Sequence, residues 1–211
     1  MQTQGSSGQS GLPAGNGRLR GLSQRWRSFI STAIILAAAV LIALFIATFV
    51  VQSYQVDGQS MEPTLSDRDR LIVNKIPRTF ARIGTNPYIP KRGDIVIFNL
   101  EQIPGSSINR QLIKRVIALP GEHITVKDGE VSVINTQKPQ GFNPDKAGIY
   151  KLGDQSTPGE SDFTLKAGEV YVMGDNRANS EDSRYFGPIE AGDLVGKLSF
   201  RILPIDKARH F

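Results

Sequence analysis

Ser60 and Lys114 are the residues in this chain whose types suit covalent chemistry, and they stand far apart in the sequence. Ser60 lies in Asp57-Gly58-Gln59-Ser60-Met61-Glu62-Pro63-Thr64-Leu65, a Gly-containing bend that follows closely on a long apolar run. A serine hydroxyl is a weak nucleophile until an adjacent base takes its proton. Candidate bases are few. The two histidines are His123, after a Pro-Gly turn, and His210, next to the last residue. Neither context orients an imidazole as a Ser-His-Asp triad requires. Lys114 sits inside Gln111-Leu-Ile-Lys-Arg-Val-Ile-Ala118, where strand alternation puts it on one face with Leu112, Val116 and Ala118. Burial on such a face disfavours the ammonium form and lowers a lysine pKa from about 10.4. Catalytic lysines are tuned to about 7–8 in this way. A neutral Lys114 can take the proton of Ser60, as in Ser-Lys enzymes. Taken singly, Lys114 also reads as a snorkelling strand lysine, and Ser60 as an ordinary loop serine. The run Gly174-Asp-Asn-Arg-Ala-Asn-Ser-Glu-Asp-Ser-Arg-Tyr-Phe-Gly187 is either a solvated polar loop or a set of charges able to orient a lysine.

The chain has no cysteine, which excludes a thiol nucleophile, disulfides and Cys-type zinc sites. The absence of H-E-x-x-H excludes that class of zinc protease. The net charge of +5 is misleading, because +4 of it comes from Arg18, Arg20, Arg25 and Arg27. The rest of the chain is nearly neutral, which argues against a nucleic-acid partner.

Those residues need elements to hold them. Residues 29–51 carry no charge over 23 positions, enough to span a bilayer. A signal peptide has a shorter apolar core and a small-residue cleavage site, so the segment reads as an uncleaved transmembrane anchor. The arginines before it predict a cytoplasmic N-terminus, with the domain on the far side. Residues 1–28 are expected to be a disordered basic tail. The 160 residues from 52 to 211 suffice for one compact domain. Strands are predicted over 70–75, 93–98, 111–118, 169–173 and 194–203. A hairpin is expected over 122–134, with Asp128-Gly129 at its tip. Residues 77–92 read as a loop, 101–109 as a turn, and 135–165 as a loop or small β-excursion. Short strands with frequent turns predict an all-β, largely antiparallel barrel or sandwich behind one N-terminal helix.

Four segments in this order resemble the type I signal peptidases, the membrane-anchored Ser-Lys endopeptidases of bacteria and organelles. Asp57–Leu65 is similar to the family's nucleophile box, Gly93–Phe98 to its strand box, Lys114–Gly121 to its lysine box, and Gly174–Arg184 to its C-terminal box. The resemblance covers roughly 52–204, with the anchor in the right place.

The resemblance implies a role for each matching residue. Ser60 would be the nucleophile and Lys114 the general base, with Ser180 orienting the lysine amine. Asp175 would pair with Arg115, and Asp182 with Arg184. Strands near 56–60 and 111–115 would form the groove, bringing Val56, Asp57, Gln59, Met61 and Ile113 to the substrate. Some relatives carry a hydroxyl at the position of Asp57 as an oxyanion donor. A carboxylate cannot donate, so the Ser60 N–H becomes the expected donor and Asp57 is expected to point away. Ala118 stands where glycine is common. The implied substrates are preproteins whose signals end in A-x-A, delivered by the secretion translocon at the bilayer, with no metal or cofactor. A self-cleaving repressor-type Ser-Lys peptidase and an inactive peptide-binding β-domain are the competing readings. The plasma membrane and the thylakoid membrane both remain open as its location.

Overall fold

The computed structural model describes residues 18–83, 87–100, 110–153 and 155–211. The expected tail over 1–17 and the expected turn over 101–109 lie outside them. The chain divides into two compact units between Phe45 and Ile46.

The first unit holds α1, Arg18–Phe45, and one π turn follows over Ile46–Val50. The apolar span runs Trp26–Val50, with a mean hydropathy of 3.0. Its large side chains, such as Phe29, Leu36 and Leu41, are exposed. A protein core does not cover them, as it would in a buried soluble helix. Two boundaries differ from the reading above. Residues 18–28 are helical rather than disordered, and Val51 belongs to a strand rather than to the helix.

The second unit is antiparallel β. Its strands are β1 Val51–Gln55, β2 Arg70–Asn74, β3 Ile95–Leu100, β4 Arg110–Ala118, β5 His123–Lys127, β6 Glu130–Asn135, β7 Lys138–Phe142, β8 Ser161–Thr164, β9 Glu169–Met173, β10 Ile189–Glu190, β11 Leu194–Leu203 and β12 Arg209–His210. The larger sheet has the order β1-β2-β11-β3-β4-β9-β10, with β12 beside β11. The smaller sheet has the order β7-β6-β5-β8. The expected loop over 135–165 therefore contains two strands that complete the second sheet. The expected loop over 77–92 contains part of a helix, α2 Ile76–Ile83, whose first N–H donates to Asn74 Oδ1 at 2.9 Å. At the tip of the β5–β6 hairpin, Asp128 and Gly129 have φ of 52° and 81°, the pair of positive values that a primed turn demands.

β9 and the second half of β4 are buried on both faces, which explains the apolar runs Val116–Ala118 and Val170–Met173. Ile117, Ala118, Tyr171 and Met173 pack with Ile124, Val126, Val131 and Val133 of the smaller sheet. Val116, Val170 and Val172 pack with Val96, Phe98 and Leu194. Arg92 joins the two layers, donating to Ile117 O and pairing with Glu122.

The segment 56–69 links β1 to β2 and carries Ser60. It is not the strand expected near 56–60. It is a series of turns closed at its base by Val56 N–H to Asp69 O and Arg68 N–H to Val56 O, both 2.9 Å. Met61 and Leu65 pin it to Leu71, Ile95 and Leu198 in a third apolar cluster. Arg201 of β11 reaches across to it, donating to Asp69 Oδ2 at 2.8 Å and to Thr64 O at 3.1 Å.

Both partners of the Asp69–Arg201 pair are buried. Removing one leaves a desolvated charge, which costs about 3–5 kcal/mol, whereas an apolar replacement of both is often near neutral. Asp69→Ala is therefore expected to lower the free energy of unfolding, read from a denaturant titration, by that amount. Asp69→Leu with Arg201→Met should recover most of the loss.

Candidate active site

Ser60 is presented by a bend that starts at Gly58. Gly58 has φ of 95°, a conformation most side chains avoid. Its N–H donates to Asp67 Oδ1 at 3.0 Å, which ties the bend to the far side of its own loop. Ser60 O is held from outside, by the Asn176 N–H at 3.0 Å. Asn176 Nδ2 also donates to Gln59 O at 3.3 Å. The Ser60 N–H makes no hydrogen bond among the described residues.

Lys114 lies where β4 loses its neighbour. The β4–β9 ladder begins at Arg115↔Met173, and past that point the chain turns away at Gly174. Gly174 approaches very closely. A Cβ there would sit 2.2 Å from Ser180 Oγ and 2.5 Å from Ser60 O. This crossing covers Lys114, which is only 3 % exposed. Its Nζ lies 2.7 Å from Ser60 Oγ. Burial drives the Lys114 pKa down to about 8, against an upward pull from Asp182, Glu181 and Asp175, while Arg110 adds to the lowering.

The acids close to Lys114 are committed to arginines. Asp175 takes two hydrogen bonds from Arg115, at 2.7 and 2.5 Å. Arg115 also donates to Gly93 O at 2.7 Å. Asp182 takes two from Arg184, both at 2.8 Å, and one from the Gly174 N–H at 2.9 Å. Both expected pairs, 115 with 175 and 182 with 184, are thus formed. The expected bond from Ser180 to Lys114 is not. Ser180 Oγ is buried with no hydrogen-bond partner, and its side chain packs on Gly174 instead.

A cavity of about 110 Å³ opens beside Ser60 and Lys114, lined by Tyr54, Val56, Asp57, Leu71, Ile97, Ile113 and neighbouring residues. Three expected groove residues, Val56, Asp57 and Ile113, are in its wall. Asp57 was expected to point away, but it lines the cavity. Met61 is absent from the wall because the apolar core takes its side chain, at 1 % exposure. Gln59 contributes its carbonyl to Asn176 and does not line the cavity. Residues without an assigned role in the sequence reading also take part. Tyr54, Leu71 and Ile97 form the wall from β1, β2 and β3. Asn176 stood inside the charged run, and its clue was a short amide beside Asp175, able to donate from both backbone and side chain. Chemically, the site can hold an uncharged amine at hydrogen-bond distance from a hydroxyl, next to an unengaged backbone N–H and a slot with both apolar and polar walls.

Comparison with known proteins gives a consistent result. A family model described as "Signal peptidase, peptidase S26" matches residues 27–203. Signal peptidase I of Leptolyngbya laminosa is 37% identical over 173 residues, covering 80% of this chain and 77% of that protein. Signal peptidase I T of Bacillus subtilis is 36% identical over 173 residues, covering 81% of this chain and 83% of that protein. Signal peptidase IB of Staphylococcus aureus is 29% identical over 186 residues, covering 84% of this chain and 91% of that protein.

The lowered pKa of Lys114 has a consequence for stability. Below pH 8 the lysine is charged in both folded and unfolded chains, and burying that charge costs its full penalty. Between pH 8 and 10.5 the folded chain has released the proton that the unfolded chain keeps, so stability rises with pH; above 10.5 the penalty is gone. Lys114→Met, which removes the charge and fills the same space, is expected to stabilise the protein at pH 7 by on the order of 3 kcal/mol, at 1.36 kcal/mol per pKa unit. Unfolding midpoints across pH should show that advantage fading between pH 8 and 10.5.

Proposed function

The chain belongs to the signal peptidases of the peptidase S26 family, and on that footing we propose that it cuts signal peptides from preproteins by a Ser-Lys mechanism. The observation that carries this reading is the 2.7 Å approach of the buried Lys114 Nζ to Ser60 Oγ. Neutral Lys114 accepts the Ser60 proton as Ser60 Oγ attacks the scissile carbonyl carbon. The ammonium so formed then protonates the departing amine. The product is an ester between Ser60 and the signal peptide. Lys114, neutral again, takes a proton from water, whose oxygen attacks the ester, and Ser60 is released with its proton restored.

The developing oxyanion needs donors fixed before the reaction starts. The Ser60 N–H is unengaged and fills that role. Asp57 lines the cavity as an acceptor and cannot. Asp175 with Arg115, and Asp182 with Arg184, hold the backbone around the site. On the side away from β3, residues 110–114 of β4 lie beyond the β9 ladder, and an extended peptide can add there through backbone hydrogen bonds. The slot is small, and its apolar part, with Val56 and Ile113, suits the small side chains of an A-x-A site. The apolar span anchors the enzyme in the membrane, with the arginine-bearing end cytoplasmic and the β-unit on the far face, where signal-bearing preproteins emerge from the translocon. Residues 1–28, 29–51 and 52–211 serve as tail, anchor and peptidase domain, within the boundary shifts described above.

The test uses the full chain in detergent with a preprotein whose signal ends in Ala-x-Ala. Ser60→Ala and Lys114→Arg are each expected to lower kcat/KM by about 10³-fold or more, since arginine keeps the charge and cannot serve as a base. Near wild-type cleavage by either variant rejects the mechanism. Because the base works only when neutral, kcat/KM of the wild type should rise with pH through about 8 and level off above it. A profile flat from pH 6 to 10 would be incompatible with Lys114 as the base.

A further inference from the structure

The segment between β7 and β8 has no part in the mechanism above, yet three of its side chains, Asp145, Gln155 and Thr157, bond the run 174–184. Gln155 Nε2 donates to Asp175 O at 2.8 Å, and Gln155 Oε1 accepts from the Arg177 N–H at 3.3 Å. One side-chain amide thus engages the backbone groups on either side of Asn176, as one rung of a β-ladder would. Asn176 is the residue whose N–H holds Ser60 O and whose side chain holds Gln59 O. Asp145 secures the same stretch from beneath. It pairs with Arg177 through two hydrogen bonds, one of them Arg177 Nη2 to Asp145 Oδ1 at 2.6 Å. Arg177 is 1 % exposed, and its Nε returns to Gly174 O at 3.1 Å, while Nη1 also donates to Thr157 Oγ1 at 2.9 Å. The Tyr150 hydroxyl donates to Asp145 Oδ1 at 2.6 Å and fixes the carboxylate.

We propose that Gln155 is a positioning residue for Ser60, acting through Asn176. This rests on the Ser-Lys reading above. The Asp145–Arg177 pair taken alone is an ordinary buried ion pair with a structural role. Gln155 is different. Its residue is largely exposed and it fills no core, yet its amide engages both the 175–176 peptide group, whose N–H holds Ser60 O, and the 176–177 peptide group that follows it. Without the clamp, the Asn176 N–H loses its fixed direction, and Ser60 Oγ is no longer held at 2.7 Å from Lys114 in the pose from which it attacks. Misplacement of a reacting atom by about 1 Å can cost on the order of 10²-fold in rate. Substrate affinity should change little, because Gln155 lies outside the cavity beside Ser60.

The experiment compares full-length wild type, Gln155→Ala, Gln155→Met and Asp145→Asn on one preprotein, with a thermal unfolding curve for each. Gln155→Met preserves length and bulk and removes only the hydrogen bonds. Both Gln155 variants are expected to lower kcat by about 10- to 100-fold, with KM within twofold and the enzyme fully folded at the assay temperature. Asp145→Asn leaves Arg177 with an uncharged partner and is expected to lower the unfolding temperature, a structural signature that the Gln155 variants should not share. Wild-type kcat in both Gln155 variants, or a loss that falls on KM instead, overturns the proposal. Ser60→Ala in the same assay separates the two levels: if it is inactive while the Gln155 variants keep full kcat, only the positioning role falls; if it still cleaves, the Ser-Lys reading falls and the positioning role with it.

Discussion

The structure depends on keeping one lysine without a counter-ion in a place where charge is expensive. Lys114 is buried, and several acids stand close enough to raise its pKa again. Asp175 and Asp182 are prevented from pairing with it because each is bound in two-pronged fashion to an arginine. Guanidinium suits this task, since its planar fork matches a carboxylate and it stays charged at any working pH. The arginines thus serve the lysine indirectly, by occupying the acids that would otherwise turn a base into a salt-bridged ammonium. Glu181 is the acid left less constrained. It is exposed and meets Arg110 at 3.4 Å, where solvent screens its effect.

The nucleophile is fixed by backbone more than by side chains. Its loop is closed at the base by main-chain bonds, weighted down by Met61 and Leu65, and crossed by the chain leaving β9. The crossing works only because residue 174 has no Cβ, since any other side chain would displace Ser180 or the carbonyl of Ser60. The conformational freedom of glycine is beside the point at this position. What the site uses is its lack of bulk.

Much of this was legible in the sequence. Residues 169–173 and 194–203 became strands with the expected boundaries; in 169–173 two buried faces leave a continuous apolar signal that turn residues cut off cleanly. Asp128-Gly129 specified its turn by backbone chemistry alone. The pairs of Arg115 with Asp175 and Arg184 with Asp182 followed from the family resemblance and are formed. Other features were hidden for physical reasons. β1 begins inside the apolar run, and nothing in Val50-Val51 marks where helix gives way to strand. α2 contains Pro77, which reads as a breaker, although a proline in the first turn gives up no helical hydrogen bond. β7 has the sequence Lys-Pro-Gln-Gly-Phe and almost no strand propensity; pairing with β6 makes it a strand. Met61 looked like a groove residue because it adjoins Ser60, and only the fold shows that its side chain turns into the core. Ser180 was expected to hold the amine, but it is packed against Gly174 with its hydroxyl unpaired.

The pleat of β4 sets two neighbouring residues to opposite uses. Lys114 and Arg115 are both basic, adjacent and buried, yet they face opposite sides of one sheet. Lys114 has no carboxylate partner and burial lowers its pKa, whereas Arg115 is tied to Asp175 and to Gly93 O. The sheet acts as an insulator one peptide thick between a switchable charge and a permanent one. A single-residue slip of β4 against β3 would exchange the two sides, so strand register here decides which of the two cations faces Ser60. The long, regular β3–β4 ladder, from Ile95↔Arg115 to Leu100↔Arg110, therefore guards the chemistry as well as the fold.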